Sequence, residues 1–73
     1  DFEPVNGLSI ELYAEIAQTV AAEGSTDQNR ARQLAEARGI SGPDWDVAVA
    51  EWTARMQRNQ AVGKRFNSLY MGR

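Results

Sequence analysis

The stretch from Gly39 to Met56 constrains this chain more than any other part, because it spells both a start for a helix and a face for that helix to bury. Ser41 can accept a hydrogen bond from a free N–H of the first turn, and Asp44, three residues on, can reach back as a short capping-box partner. Pro43 fits because the first turn has no use for its missing N–H. Ile40 before the cap and Trp45 at the fourth helical position have the spacing of a hydrophobic staple. From there Trp45, Val49, Trp52 and Met56 recur at four, three and four residues, which is one face of an α-helix.

The same grammar appears 32 residues earlier. Gly7-Leu8-Ser9 followed by Tyr13 matches Gly39-Ile40-Ser41 followed by Trp45, and the same offset aligns Val20 with Trp52, Gln28 with Gln60 and Leu34 with Phe66. The first helix is expected from Ile10 to Ala22, capped by Ser9, stapled from Leu8 to Tyr13 and ended by Gly24. Leu12, Tyr13, Ile16 and Val20 form its apolar face; Glu11, Glu15, Gln18 and Glu23 take the other side.

Ser25 with Gln28 reads as a capping box for a second helix over 27–37, with Ala31, Leu34, Ala35 and Arg38 facing inward. Leu34 is the one large apolar side chain on that face, so this helix should lean on its neighbours and fray first. After the third helix, Asn59 can end one helix or cap the next, and a last helix is expected from Gln60 to Met71, burying Val62, Phe66, Leu69 and Tyr70. Gly63 within it costs about 1 kcal/mol against alanine, and close approach of another helix or of a tryptophan ring is the expected return. Residues 1–6 read as an extended arm, since Pro4 pushes Glu3 out of helical geometry, with Phe2 and Val5 as its anchors.

These elements predict an all-α fold: a small four-helix bundle spanning residues 1–73 as one domain, built as two helical hairpins related by a pseudo-two-fold axis. Each hairpin alone would expose a wide apolar face, so the two must cover each other. The repeat carries none of the characteristic residues of tetratricopeptide or ankyrin units.

Composition narrows function. With no cysteine and no histidine, the chain lacks disulfides, thiolate ligands, imidazole ligands and the usual neutral-pH acid–base. Gly39-Ile40-Ser41-Gly42 places its second glycine one residue too early for a nucleophile elbow, so Ser41 reads as a cap. Asp44 and Asp46 spell no calcium loop and suit capping and the helix dipole. The expectation is a non-enzymatic domain without cofactor, metal or small-molecule substrate. No apolar run approaches the roughly 18–20 residues that span a bilayer, so a soluble, cytoplasmic chain is expected. Asp1 in place of an initiator methionine suggests a processed product or a piece of something longer.

Charge is divided along the chain. Residues 1–51 hold ten acids and three arginines, a net of −7, while residues 52–73 hold five cations and no acid. Arg55, Arg58, Lys64, Arg65 and Arg73 are therefore the candidate partner-binding residues. About twenty large apolar residues in a 73-residue chain without staples make burial against a partner a plausible source of stability. The expected function is a protein–protein interaction or assembly domain, an accessory domain of a longer chain or a small subunit. Its basic segment would meet an acidic partner, the ridge of Glu11, Glu15 and Glu23 on another copy being one candidate. The alternative is a helical nucleic-acid-binding domain using the same basic third.

Overall fold

The computed structural model describes residues 2–24, 27 and 29–72. It contains four helices, α1 (Ile10–Glu23), α2 (Asn29–Ala37), α3 (Gly42–Arg58) and α4 (Gln60–Tyr70), and no strand among the described residues. Helix α1 packs against α2 and α4, and α3 packs against the same two, which makes a four-helix arrangement of the hairpins α1–α2 and α3–α4.

The serine caps at the two helix starts form as expected, whereas among the described residues no return bond from the Ser41 N–H to the Asp44 carboxylate completes a capping box. Ser9 Oγ accepts from the N–H of Leu12 at 3.1 Å and Ser41 Oγ from the N–H of Asp44 at 3.3 Å, both from an extended backbone. Gly7 and Gly39 both take left-handed φ values, 88° and 86°, as only glycine does at little cost. Leu8 and Ile40, the two staple residues, are buried, and the equivalent rings of Tyr13 and Trp45 meet edge-to-face with centroids 5.8 Å apart. The correspondence at an offset of 32 residues thus extends from sequence to caps, backbone and core contacts.

Trp52 is the centre of the core. It is fully buried with Leu8, Ile10 and Val62, and its indole N–H donates to the Leu8 carbonyl at 2.9 Å. This bond ties the middle of α3 to the residue before the α1 cap. Ala48, on the same face one turn earlier, is also fully buried, a position where only a small side chain lets neighbouring elements come close.

Several details differ from expectation. The extended arm turns at Asn6-Gly7, both with positive φ, and the paired bonds between Val5 and Leu8 close a two-residue hairpin turn of the Asn-Gly kind. Val5 packs on the core, whereas Phe2 is 48% exposed and anchors nothing. Helix α2 begins at Asn29, where Asp27 Oδ1 accepts from the Asn29 N–H at 2.9 Å; the expected Ser25–Gln28 capping box lies outside the described residues. Arg38 is exposed and paired with Glu15, not turned inward. A methyl group added to Gly63 would meet the Met56 carbonyl oxygen at 3.8 Å, an ordinary contact, so no close approach demands glycine there.

Asn59 performs both of its possible roles. Its N–H donates to the Arg55 carbonyl, closing α3, and its side-chain oxygen accepts from the Ala61 N–H at 3.0 Å, opening α4. At the other end of α4, Gln18 of α1 donates to the carbonyls of Leu69 and Tyr70 at 2.8 and 2.6 Å; the Leu69 carbonyl also accepts from the Gly72 N–H, and the side chain supplies the Tyr70 carbonyl with a partner at the helix end.

Candidate functional site

The basic segment lies along the α3–α4 junction and the outer side of α4, and its members do different work. Arg55 is turned onto the fold: it donates to Glu51 at 2.9 Å and to the Glu3 carbonyl at 2.7 Å, and its guanidinium lies 4.8 Å from the Trp52 ring centroid. Its side chain is only 12% exposed. It clamps the N-terminal segment over the central tryptophan. Arg58 reaches the same Glu51 at 3.3 Å but stays 54% exposed. Arg65 stands 3.7 Å from Glu11, a loose pair, and Lys64 is exposed with no ion pair among the described residues. Arg73 lies outside the described residues.

On this edge Glu51 is shared between two arginines, Arg55 and Arg58, and Glu11 faces Arg65. Hydrogen bonding to Arg55 is the main reason the Glu51 carboxyl is held below its ordinary range.

The acidic ridge of α1 is engaged within the chain. Glu15 receives a two-pronged contact from Arg38, just past the end of α2, and Glu23 one from Arg30 at 2.7 and 2.9 Å. In both carboxyls the arginine hydrogen bond leads in lowering the pKa. With Arg65 near Glu11, each of the three ridge acids has an arginine from another helix or its flank. Two of these pairs lie within residues 1–51; only the loose Glu11–Arg65 contact joins the acidic part of the chain to its basic end.

The residues considered for catalysis or metal binding occupy structural positions. Ser41 caps α3, Asp44 supplies the N–H it accepts, and Asp46 sits 3.2 Å from Arg32. No group of three or more potential metal-ligating side chains occurs among the described residues. No helix is long and apolar enough to cross a membrane.

A second feature was hidden in the sequence because its residues read as core. An open apolar cleft of about 380 Å³ lies where α1, α2 and α3 meet the end of α4, lined by Ile16, Val20, Ala31, Trp45, Val49 and Tyr70 among others. One wall belongs to a chain of touching rings: Trp45 against Tyr13, Tyr13 against Phe66 at 5.1 Å, and Phe66 stacked on Tyr70 at 5.9 Å. Burial pushes the Tyr13 phenol above its ordinary pKa, partly offset by a hydrogen bond with Thr53. Small residues on adjoining helices, Ala17, Ala21 and Ala31, leave the space open. The thin apolar face of α2 was the one trace of this in the sequence.

Compared with known proteins, the chain matches no family model, no curated protein and no solved structure.

Proposed function

We propose that this is a non-catalytic protein–protein interaction domain, acting as an accessory domain or small subunit, whose contact edge is formed by Arg58, Lys64 and Arg65 and whose partner is acidic. The observation that carries the reading is the exposure of Arg58 and Arg65, each half or more open to solvent on the α3–α4 edge, within a stretch of sequence that holds five cations and no acid. Such an edge speeds encounter with an acidic surface and selects against basic ones. Arg55 contributes by holding the edge to the core, and Arg73 continues the basic sequence beyond it. Because the α1 acids already have arginine partners in the same chain, a different protein is favoured over the ridge of a second copy.

A nucleic-acid-binding reading would need aromatic side chains free to stack on bases beside the cations. Phe66 and Tyr70 are stacked on each other instead, and Phe66 packs on the core.

The test is a titration of isotope-labelled protein with an acidic helical peptide, with the lysine counterpart of that peptide, and with a single-stranded oligonucleotide, followed by amide chemical shifts. The acidic peptide should move signals around residues 58–65, and R58E/R65E should weaken it by about tenfold or more while leaving helicity unchanged. Silence with the acidic peptide, or binding to the oligonucleotide in its place, would overturn the proposal.

A further inference from the structure

We infer that the cleft between α1, α2 and α3 is a binding site for a small, neutral, planar aromatic compound, separate from the basic edge and independent of its function. Three observations converge. The first is size: about 380 Å³ falls within the range of small-molecule sites, and an apolar cavity of ~150 Å³ already holds one benzene ring. A ligand of two fused rings therefore fits with part of it at the mouth.

The second is chemistry. The lining is Tyr13, Trp45 and Tyr70 on the aromatic side and alanine, valine and isoleucine on the other, with no charged side chain. An ionised ligand would lose its hydration there without a counter-charge, whereas a flat π-system gains offset or edge contacts with rings.

The third is preorganisation. The ring chain Trp45–Tyr13–Phe66–Tyr70 spans α3, α1 and α4, so the wall is built by core packing and not by loose surface side chains. Gln18, bonded to the carbonyls of Leu69 and Tyr70, holds the end of α4 that brings Tyr70 to the cleft. Little conformational freedom remains to be lost when a ligand enters. The small residues at 17, 21 and 31 then act as the determinants of size, since a larger side chain at any of them would occupy the ligand's place.

The experiment uses 2-naphthol, uncharged at neutral pH, titrated into the labelled protein. The expected result is saturable binding with Kd below about 1 mM, with shifts confined to the amides near Ala17, Val20, Ala31 and Val49 and to the Trp45 indole. Ala21→Phe, at an exposed lining position, should place a ring in the mouth and reduce the affinity at least about tenfold while the fold is retained. Absence of saturation, shifts spread evenly over the chain, or undiminished binding by A21F would each overturn the assignment. Failure here leaves the basic edge untouched, because R58E/R65E should not alter 2-naphthol binding.

Discussion

Replacing Trp52 with phenylalanine isolates the hydrogen bond at the centre of the core, and its cost can be worked from the surroundings. The Leu8 carbonyl that accepts the indole N–H also accepts the Val5 N–H at 3.0 Å, so it keeps one partner when the indole is lost. The polar part of the cost is therefore one net hydrogen bond, about 1 kcal/mol, and not the larger penalty of a fully orphaned buried acceptor. Exchanging an indole for a phenyl ring also removes two apolar carbons, worth about 1.5 kcal/mol at ~0.8 kcal/mol each, before any cavity contribution. Trp52→Phe should cost about 2.5–3 kcal/mol in total.

Trp45→Phe is the internal control. Trp45 is 7% exposed, and among the described residues nothing accepts a hydrogen bond from its indole, so the same ring change should cost about 1.5 kcal/mol. A chain of this size has roughly 4–11 kcal/mol of total stability, which makes both losses measurable by urea unfolding followed by circular dichroism. The quantity to read is the gap of about 1 kcal/mol between the two variants. If Trp52→Phe proves no more costly than Trp45→Phe, the bond to Leu8 does not hold the N-terminal segment and the reasoning is wrong.

Gly63→Ala should raise the urea midpoint, gaining up to about 1 kcal/mol, since the added methyl meets only an ordinary contact; a lowered midpoint would show that α3 and α4 pack more closely than 3.8 Å implies. Ser9→Ala and Ser41→Ala should each cost about 1 kcal/mol by the same unfolding assay, because both hydroxyls satisfy the N–H three residues on; a neutral result at either would deny that cap its role. Glu15, Glu23 and Glu51 have lowered pKa values in the folded state, so their contribution is present above the unfolded carboxylate pKa and is lost as pH falls through the folded values. Stability should accordingly be level near neutrality and decline below about pH 4, with a shallower decline in Glu15→Gln; an unchanged acid limb in that variant would rule out the Arg38 pair as a contributor. In native-state hydrogen exchange α2, where Ala35 is the one fully buried residue, should open before the other three helices, and protection equal to that of α3 would contradict its dependence on neighbours.

Helix starts were readable because they depend on neighbours in sequence. A serine hydroxyl meets an amide three residues away whatever the rest of the fold does, so Ser9, Ser41 and Asn59 could be assigned their roles from spacing alone. The apolar periodicity of α3 likewise anticipated that Trp45 and Trp52 would be buried. Even the weak 32-residue correspondence was visible, and the meeting of Tyr13 with Trp45 shows why it matters: equivalent staple rings from the two hairpins touch.

What depended on distant residues was decided only by the tertiary structure. The sequence marked 52–73 as basic but not that Arg55 would turn onto Trp52 and the Glu3 carbonyl while Arg58 and Arg65 stayed exposed. An arginine's long side chain can serve the core or the solvent, and the choice rests on which acceptors the packing brings near. Arg38, expected inward, found Glu15 on the surface for the same reason. Beyond the thin apolar face of α2 the cleft left no trace in the sequence, because apolar periodicity says which face of a helix is turned inward but not whether facing side chains are large enough to meet. The sequence by itself thus determined the four helices, the caps at Ser9, Ser41 and Asn59 and the central tryptophans, through short-range chemistry. The partition of the basic segment and the open space beside the aromatic chain were determined by how the helices pack.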